Sequence, residues 1–305
     1  MKRARKLGLL GLWFLALSLL VFAGPASSEV YVEGYVGGVH GANAGMNPGF
    51  GDSFLFGAAA PIRINYQFSS QIPGRFDPAV LGGIKLGTWF VREGFLGMNY
   101  PEWMKHFGFY LDFTMHRLDF RRQLGTYQVS GNVNIAQQTN ILFSLGGDQT
   151  FWSEGYAPTL AFMFAGRVGF CPDSEVPFGR LQPYLAVGPA IMFASQEPAM
   201  RINNIRFLKI TNGDSIVFPL PSAAGQTLDM GSDSTATFCL AAEAGIRWMC
   251  LKNVSIDISF KYRWAEPTFR YTFQDSIPGL GRTHTITLDP TYHLFSGQVG
   301  VAYHF

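Results

Sequence analysis

The sequence predicts an all-β chain, an eight-stranded antiparallel up-and-down β-barrel that crosses a membrane, and three observations lead to that fold. Several segments alternate apolar residues with polar or small ones, as strands with one face in lipid do. Charged residues make up only 14% of the chain, whereas aromatic residues make up 15%. The connections between these segments alternate in length, which is typical of a membrane barrel with long extracellular loops and short periplasmic turns.

Eight segments carry the alternation. They are residues 30–39, 80–90, 106–120, 158–170, 181–193, 236–249, 254–264 and 295–305. In the seventh segment, Ile256, Ile258 and Phe260 alternate with Asp257 and Lys261. An unpaired charge in hydrocarbon costs several kcal/mol, so the charged face is expected to point into the barrel and the apolar face into lipid.

The predicted loops differ in length on the two sides of the membrane. The long connections are residues 40–79, 121–157, 195–235 and 265–289, and the short ones are 91–105, 171–180 and 250–253. Strand content is also predicted inside the long loops, at 63–68, in a hairpin of 126–133 with 140–145, and in a hairpin of 201–210 with 215–220. These hairpins either project above the membrane or join the wall, which would raise the strand number to ten or twelve.

The amino-terminal segment has the organisation of a secretory signal peptide. Four basic residues precede an apolar run over 7–23, and small residues follow it. Cleavage after Ala26 or after Ser28 fits this pattern. We therefore expect residues 1–26 to direct export through the Sec pathway and 27–305 to form one barrel domain; the alternative is an uncleaved membrane anchor.

The charge balance argues against a nucleic-acid partner. The whole chain has a net charge of +2, but removing the four basic residues of the signal from the total of 23 leaves 19, against 21 acidic residues. The sequence has no basic stripe that would follow a phosphate backbone.

The carboxyl-terminal strand carries the first resemblance to a known family. Gln298, Gly300, Tyr303 and Phe305 match the polar-x-Gly-x-x-aromatic-x-aromatic ending of bacterial outer-membrane β-barrels, which this chain resembles. The resemblance implies location in the bacterial outer membrane, contact with outer-membrane lipid, and help from periplasmic chaperones. It also implies that the four residues are an assembly signal for the barrel assembly machinery.

Two further stretches look like the OmpA-like transmembrane domain and the related opacity-type barrels. The stretches resemble the fifth strand of that family at Leu181, Pro183, Tyr184 and Gly188, and its sixth turn and seventh strand at Lys252, Asn253, Val254, Ser255, Tyr262 and Arg263. Lys261 stands where the family usually has Glu. This departure implies a lumen charge network that is wired differently from the family's.

Ten ionisable residues fall on the predicted inward face. They are Glu33, Lys85, Asp112, His116, Arg167, Glu243, Arg247, Asp257, Lys261 and Arg263. Eight strands enclose a space that side chains just fill, and a buried charge that loses its partner costs about 3–5 kcal/mol. The pattern predicts a salt-bridged plug, and the alternative is a gate that rearranges to pass small ions.

The cysteines predict neither a metal site nor a cofactor. The chain has three cysteines without C-x-x-C, haem-attachment or zinc spacing. Cys171 and Cys250 both fall in predicted periplasmic turns, so a disulfide between them is one alternative for an exported chain.

The sequence lacks familiar catalytic motifs, which argues against an enzyme. The sequence has no G-x-S-x-G and no H-E-x-x-H. The one pair weighed as a site is His40 with His284, assisted by Asp52 or Asp289. We predict a structural or surface-interaction role in which four large loops are displayed to an extracellular ligand. The alternatives are a narrow passive channel for ions or small solutes, and an outer-membrane lipid-modifying enzyme or protease.

Overall fold

The computed structural model describes residues 29–56, 62–90, 100–135, 139–212, 214–218, 227–274 and 283–305. The predicted signal peptide lies outside these residues. The strands in the described ranges are β1 (Glu29–Gly41), β2 (Gly49–Phe56), β3 (Ile62–Gln71), β4 (Ala79–Trp89), β5 (Phe107–His116), β6 (Phe120–Ile135), β7 (Thr139–Tyr156), β8 (Thr159–Arg167), β9 (Leu181–Ile202), β10 (Phe207–Asn212), β11 (Asp214–Phe218), β12 (Thr227–Asp229), β13 (Asp233–Leu251), β14 (Val254–Ala265), β15 (Phe269–Gln274), β16 (Thr283–Leu288) and β17 (Tyr292–His304). A short 3-10 turn, Glu102–His106, precedes β5. Among the described residues, no helix is long and apolar enough to span a bilayer.

Eight of these strands form a closed barrel. The hydrogen-bonded circuit runs β1–β4–β5–β8–β9–β13–β14–β17 and returns to β1, with every neighbouring pair antiparallel. The pairing of β9 with β13 closes it. These strands are the eight predicted segments, so the predicted strand number and topology are confirmed. Closure leaves no open strand edge in the wall, as a membrane-spanning sheet requires.

The two faces of the wall differ as the alternation predicts. Side chains that point outward are apolar and exposed, as at Leu160, Leu185 and Ile258. Side chains that point inward are buried, and they are mostly charged groups, other polar residues, tyrosines and small residues, with larger apolar residues such as Leu81 and Met163 among them. The apolar outer stripe therefore faces lipid and the polar stripe fills the lumen.

The wall continues above the membrane on one side. Strand β9 pairs with β8 at its lower end and with β7 from Ser195 to Ile202. Beyond β7 the sheet continues through β6 and β3 to β2, and β10 pairs with the outer part of β7. Strand β11 pairs with β10. We call β2, β3, β6, β7, β10, β11 and the outer part of β9 the extracellular sheet.

The predicted loop hairpins therefore exist, but they do not enter the barrel. The hairpin of the second loop is β6 with β7, and that of the third loop is β10 with β11. Strand β9 runs on to Ile202, and β10 starts at Phe207, so the predicted strand 201–210 is divided. The division arises because β9 continues into the extracellular sheet instead of ending at the membrane.

An aromatic cluster closes the lumen on the extracellular side. The Phe76 ring stacks on Phe120 with centroids 4.4 Å apart, and it meets Tyr292 edge-on at 5.4 Å. Phe151 and Tyr271 are also buried there, Tyr271 being supplied by the β15–β16 hairpin. The molecule thus has an ionic interior inside the barrel and an aromatic interior above it.

Candidate functional site

The structure places all ten predicted lumen residues inside the barrel. None of them is more than 3% exposed. Successive side chains of a strand point to opposite faces. Each of these ten residues is an even number of positions from other inward residues of its strand, that is, it has the same parity, and so it points inward. The site is therefore assembled from residues that are far apart in sequence.

Glu243 lies at the centre of the charge network. Its carboxylate is 2.7 Å from the Lys85 Nζ and 3.1 Å from the Lys261 Nζ. The hydroxyls of Tyr184 and Tyr110 donate hydrogen bonds to it at 2.8 and 3.0 Å. With these four donors, the carboxylate is compensated in the absence of bulk water.

A second group of ions extends from Lys85. Glu33 is 2.8 Å from the Lys85 Nζ and 2.9 Å from the Arg247 Nη2. Arg247 also approaches Asp257 at 3.5 Å, and its guanidinium carbon lies 4.2 Å from the centroid of the Tyr31 ring. The guanidinium is therefore held by two carboxylates and an aromatic face.

Lys261 connects the fourth acid, Asp112, to the network. Its ammonium group pairs with Asp112 as well as with Glu243, and the Tyr35 hydroxyl donates to Asp112. Lys261 is the residue that departs from the family pattern. The lysine is accommodated because carboxylates flank it on two sides.

Strand register explains why these partners meet. Glu33 is directly opposite Lys85 across β1 and β4, and Glu243 is directly opposite Lys261 across β13 and β14. Lys85 is in turn opposite Asp112 across β4 and β5. Directly opposed side chains of opposite charge are close enough to pair. The network contains four carboxylates and three of the five predicted cations.

Three of the ten residues lie outside this network. Arg263 is fully buried, and none of its three guanidinium nitrogens has a hydrogen-bond partner among the described residues. The Nδ1 of His116 is 2.8 Å from the Arg117 carbonyl, so Nδ1 carries the proton that is donated. Arg167 lies between Trp89 and Phe178, with its guanidinium carbon 4.2 Å from each ring centroid.

The lumen is filled at the level of the network. Four tyrosines that the sequence analysis did not assign a role pack between the ions and are at most 5% exposed: Tyr31, Tyr35, Tyr110 and Tyr184. The sequence indicated three of these positions, since Tyr31 and Tyr35 have the parity of Glu33, and Tyr110 has that of Asp112. Tyr184 has the parity of Gln182, a buried polar residue of β9. Chemically, the arrangement fixes the barrel by ion pairs and charge-assisted hydrogen bonds.

The terminal signature is divided between the two faces of β17. Gln298 points inward and donates to Ser259 at 2.8 Å and to Glu243 at 3.2 Å. A β-carbon at Gly300 would lie 2.8 Å from the Glu33 Oε1. Tyr303 and Phe305 point outward, with their rings edge-to-face at 5.1 Å. Half of the pattern thus packs the lumen and half faces lipid.

The disulfide considered between Cys171 and Cys250 is not formed. All three cysteines are free thiols, and Cys171 is exposed in a turn with a positive φ of 56°. Arg180 joins the two turns instead. Its guanidinium pairs with Asp173 and donates to the Cys250 carbonyl at 3.2 Å, and its backbone N–H donates to the Cys171 carbonyl at 3.1 Å.

The histidine pair weighed as a catalytic site is not assembled. His40 is exposed on the outer face of β1, opposite Phe295. His284 is buried above the barrel, with Nε2 3.3 Å from the Tyr66 hydroxyl and Nδ1 3.9 Å from Asp52. The two histidines do not meet, because His40 points outward from β1, whereas His284 of the β15–β16 hairpin points towards β2.

Comparison with known proteins returns solved structures of low identity. Neisserial surface protein A is 10% identical over 90% of this chain and 97% of its own, with a TM-score of 0.30. The outer membrane protein OprG from Pseudomonas aeruginosa is 12% identical over 92% and 97%, with a TM-score of 0.34. Ail of Yersinia pestis is 12% identical over 91% and 99%, with a TM-score of 0.29. No protein-family model and no curated protein matches the chain.

These alignments carry no residue-level inference, and the hydrogen-bonded circuit of this chain defines its architecture. The circuit has eight strands, an apolar outer face and a buried charge network. A β-sheet that faces hydrocarbon can satisfy its backbone hydrogen bonds when it closes on itself, as this one does. The chain is thus an eight-stranded transmembrane β-barrel of the outer-membrane type, filled by an ionic core and extended above the membrane by further β-structure.

Proposed function

We propose that the protein is an outer-membrane surface protein, in which a rigid, side-chain-filled barrel holds the extracellular sheet for interaction with an extracellular ligand. The observation that carries this proposal is the far end of the sheet. Its exposed side chains include large apolar residues: Leu55, Ile135, Leu142, Ile216 and Val217. We call these five residues the apolar tip. By register, Leu55, Leu142 and Val217 share one face of the sheet, whereas Ile135 and Ile216 lie on the other. Exposed apolar residues away from lipid mark interaction sites, and Leu55, Leu142 and Val217 offer such a face.

The edge of the sheet adds to this support. Strand β11 pairs with β10 and with no other strand among those described, so its outer edge is open. An open edge offers backbone N–H and C=O groups to a partner strand. Ile216 and Val217 are exposed on this strand at 55% and 58%. A peptide or protein ligand is the class that such an edge fits.

The extracellular interaction is tested with tip variants. Leu142→Ser combined with Val217→Ser should reduce the attachment of cells displaying the protein to immobilised extracellular-matrix proteins. Val36→Ser, on the lipid-facing wall of β1, is the matched control for loss of an exposed apolar residue. The proposal fails if the tip variant attaches as the wild type does while reaching the surface in equal amount.

The channel alternative is tested by conductance. A lumen filled by Glu243, Lys85, Lys261 and their tyrosine partners supports a barrel without steady conductance. Purified protein in planar lipid bilayers should therefore show no stable open level. A steady open conductance would favour the narrow passive channel.

The proposed role is non-enzymatic. The residue pair on which an activity was considered, His40 with His284, is divided between the outer wall and the buried hairpin. Replacing each histidine by Ala should leave surface attachment unchanged. Hydrolysis of lipid or peptide substrates that disappears in His284→Ala would overturn this part of the proposal.

A further inference from the structure

The outer face of the extracellular sheet contains a groove between the membrane and the tip. It has a volume of about 700 Å³ and lies across the ends of β3, β6 and β7 and the segment 203–206. A smaller concavity of about 220 Å³ adjoins it and shares Gln71, Thr126 and Arg206 with it. The groove is outside the ionic core and apart from the apolar tip.

The lining of the groove consists mainly of amide, hydroxyl and charged side chains. The polar lining residues are Asn47, Gln71, Thr126, Asp148, Asn203, Asn204 and Arg206. Asp148 holds the arrangement in place, since Asn204 donates to it at 2.9 Å and Arg206 pairs with it at 2.6 Å. Leu124, 70% exposed, adds an apolar surface at the lower edge. Planar polar groups beside a small apolar surface match the hydroxyls and C–H faces of a saccharide.

Three arginines without an acidic partner lie along the lower edge of the groove. Arg75, Arg122 and Arg201 are exposed, and none has a carboxylate within 4.0 Å among the described residues. A β-bulge between Phe120 and Gln123 turns both Arg121 and Arg122 outward. The guanidinium carbon of Arg122 lies 4.6 Å from the centroid of the Trp152 ring, which restrains the side chain.

All three arginines adjoin the groove. Arg75 and Arg122 are each two residues from a lining residue, Pro73 and Leu124, and Arg201 is placed by strand register. Leu124 is directly opposite Thr150, and Thr150 is directly opposite Arg201. Thr150 also exchanges hydrogen bonds with Asn203 of the groove lining. Guanidinium groups bind phosphate oxygens with two parallel hydrogen bonds, so the edge suits a phosphate attached to the saccharide.

The position of the site relative to lipid identifies the source of such a ligand. Tyr156, 43% exposed on β7, is at the upper limit of the lipid-facing wall, where aromatic girdles lie. Trp152 and Asp148 precede it by four and eight residues, or roughly 13 and 26 Å along the strand at about 3.3 Å per residue. Glu154 and Glu197 are directly opposite each other, two residues nearer the membrane than Trp152 and its partner Ala199. They lie between the membrane and the three exposed arginines Arg75, Arg122 and Arg201, which we call the arginine row.

We propose that this groove binds the phosphorylated saccharide headgroup of a glycolipid in the outer leaflet. The arginine row contacts the phosphate, and the amide-lined groove above it contacts the sugars. This inference rests on the proposed function in one respect, namely that the extracellular sheet faces the outside of the membrane. It assigns to that sheet a second surface, distinct from the apolar tip.

The test uses the folded full chain in detergent micelles and a defined probe, the deacylated, phosphorylated core oligosaccharide of lipopolysaccharide. Saturable binding is expected by calorimetry. Combining Arg122→Gln with Arg201→Gln should weaken binding about tenfold or more, because the phosphate then loses charge-assisted hydrogen bonds from two guanidinium groups. Gln71→Ala combined with Thr126→Val should weaken the binding of this probe and also the binding of its phosphatase-treated form.

The control is Arg63→Gln, an exposed arginine on β3 opposite Asn134, towards the far end of the sheet. It should bind the probe as the wild type does. The proposal is overturned if the probe does not bind, if Arg63→Gln has the same effect as the arginine-row variant, or if inorganic phosphate or an acidic peptide binds equally well with the same dependence. None of these outcomes alters the conductance or the tip-attachment result, so the two proposals can fail separately.

Discussion

Lys261 and Glu243 are directly opposite each other across β14 and β13, with their charged groups 3.1 Å apart in the centre of the barrel. Both side chains are at most 3% exposed. Removing one member of such a pair leaves the other buried and uncompensated, so the network is more sensitive to single substitutions than a surface ion pair is.

Glu243→Gln should lower the free energy of unfolding by about 3–5 kcal/mol. The substitution removes the carboxylate that pairs with both Lys85 and Lys261, while both ammonium groups stay buried. The measurement is urea-induced unfolding in micelles, in which the folded fraction is read from heat-modifiable gel mobility. Glu197→Gln, an exposed carboxylate on β9, is the control and should change the free energy by at most ~0.5 kcal/mol. Equal effects of the two variants would contradict an ionic core that stabilises the barrel.

Two buried arginines should respond in opposite ways to replacement by Met. Arg247→Met removes the contacts with Glu33 and the Tyr31 ring and should cost about 3–5 kcal/mol of unfolding free energy. Arg263→Met removes three unpartnered nitrogens and should be neutral or stabilising. Unfolding midpoints of the two variants under the same conditions test this, and a large loss for Arg263→Met would show that Arg263 is bound to a group that matters for stability.

Gly300→Ala and Gly297→Ala form a matched pair on β17. The new β-carbon at residue 300 would lie 2.8 Å from the Glu33 Oε1, whose carboxylate is ion-paired with Lys85 and Arg247. We expect a loss of about 1–3 kcal/mol from this overpacking. At Gly297 nothing lies within 4 Å of the added carbon, so the change should be neutral or slightly stabilising. A loss at residue 297 as large as that at 300 would refute the lumen contact.

Thiol labelling separates the three cysteines. Cys171 is exposed and should react with a maleimide in the folded protein, whereas Cys239 is fully buried and should react after unfolding. When the chain is denatured without reductant and then labelled, its intact mass should show three labels. Uptake of a single label would show that Cys171 and Cys250 are joined after all.

Acidification should loosen the segment 203–206 of the extracellular groove. Hydrogen bonds from Asn204 and from Arg206 hold the pKa of Asp148 below its usual value. A carboxyl with a lowered pKa contributes stability above its unfolded pKa of about 3.9, and that contribution is lost as the pH falls through the folded value. Hydrogen-exchange protection of the Arg206 amide should fall in this acid range. Asp148→Asn should show the lower protection already at neutral pH, and an unchanged protection factor in that variant would rule out the linkage.

Much of the barrel could be predicted because its signal is local. The parity of each strand follows from the side-chain period of two, and lipid enforces it by excluding charge, so the inward positions of Glu33 and Asp257 could be derived one strand at a time. The extracellular sheet was harder to predict. Strands β6 and β7 were recognised as a hairpin, but their attachment to the outer part of β9 depends on pairings such as Trp152 with Ala199 that no local pattern indicates.

The sequence by itself determined which residues face lipid and which face inward, because a membrane permits a single arrangement of an alternating strand. The tertiary structure alone decided which inward charges meet. Lys85 bonds to Glu243, 158 positions away in the chain, whereas Arg263 has no hydrogen-bond partner among the described residues although its strand and parity are the same as those of Lys261. The physical reason is that pairing depends on register and height around the closed barrel, and these are set by strand neighbours that are distant in sequence.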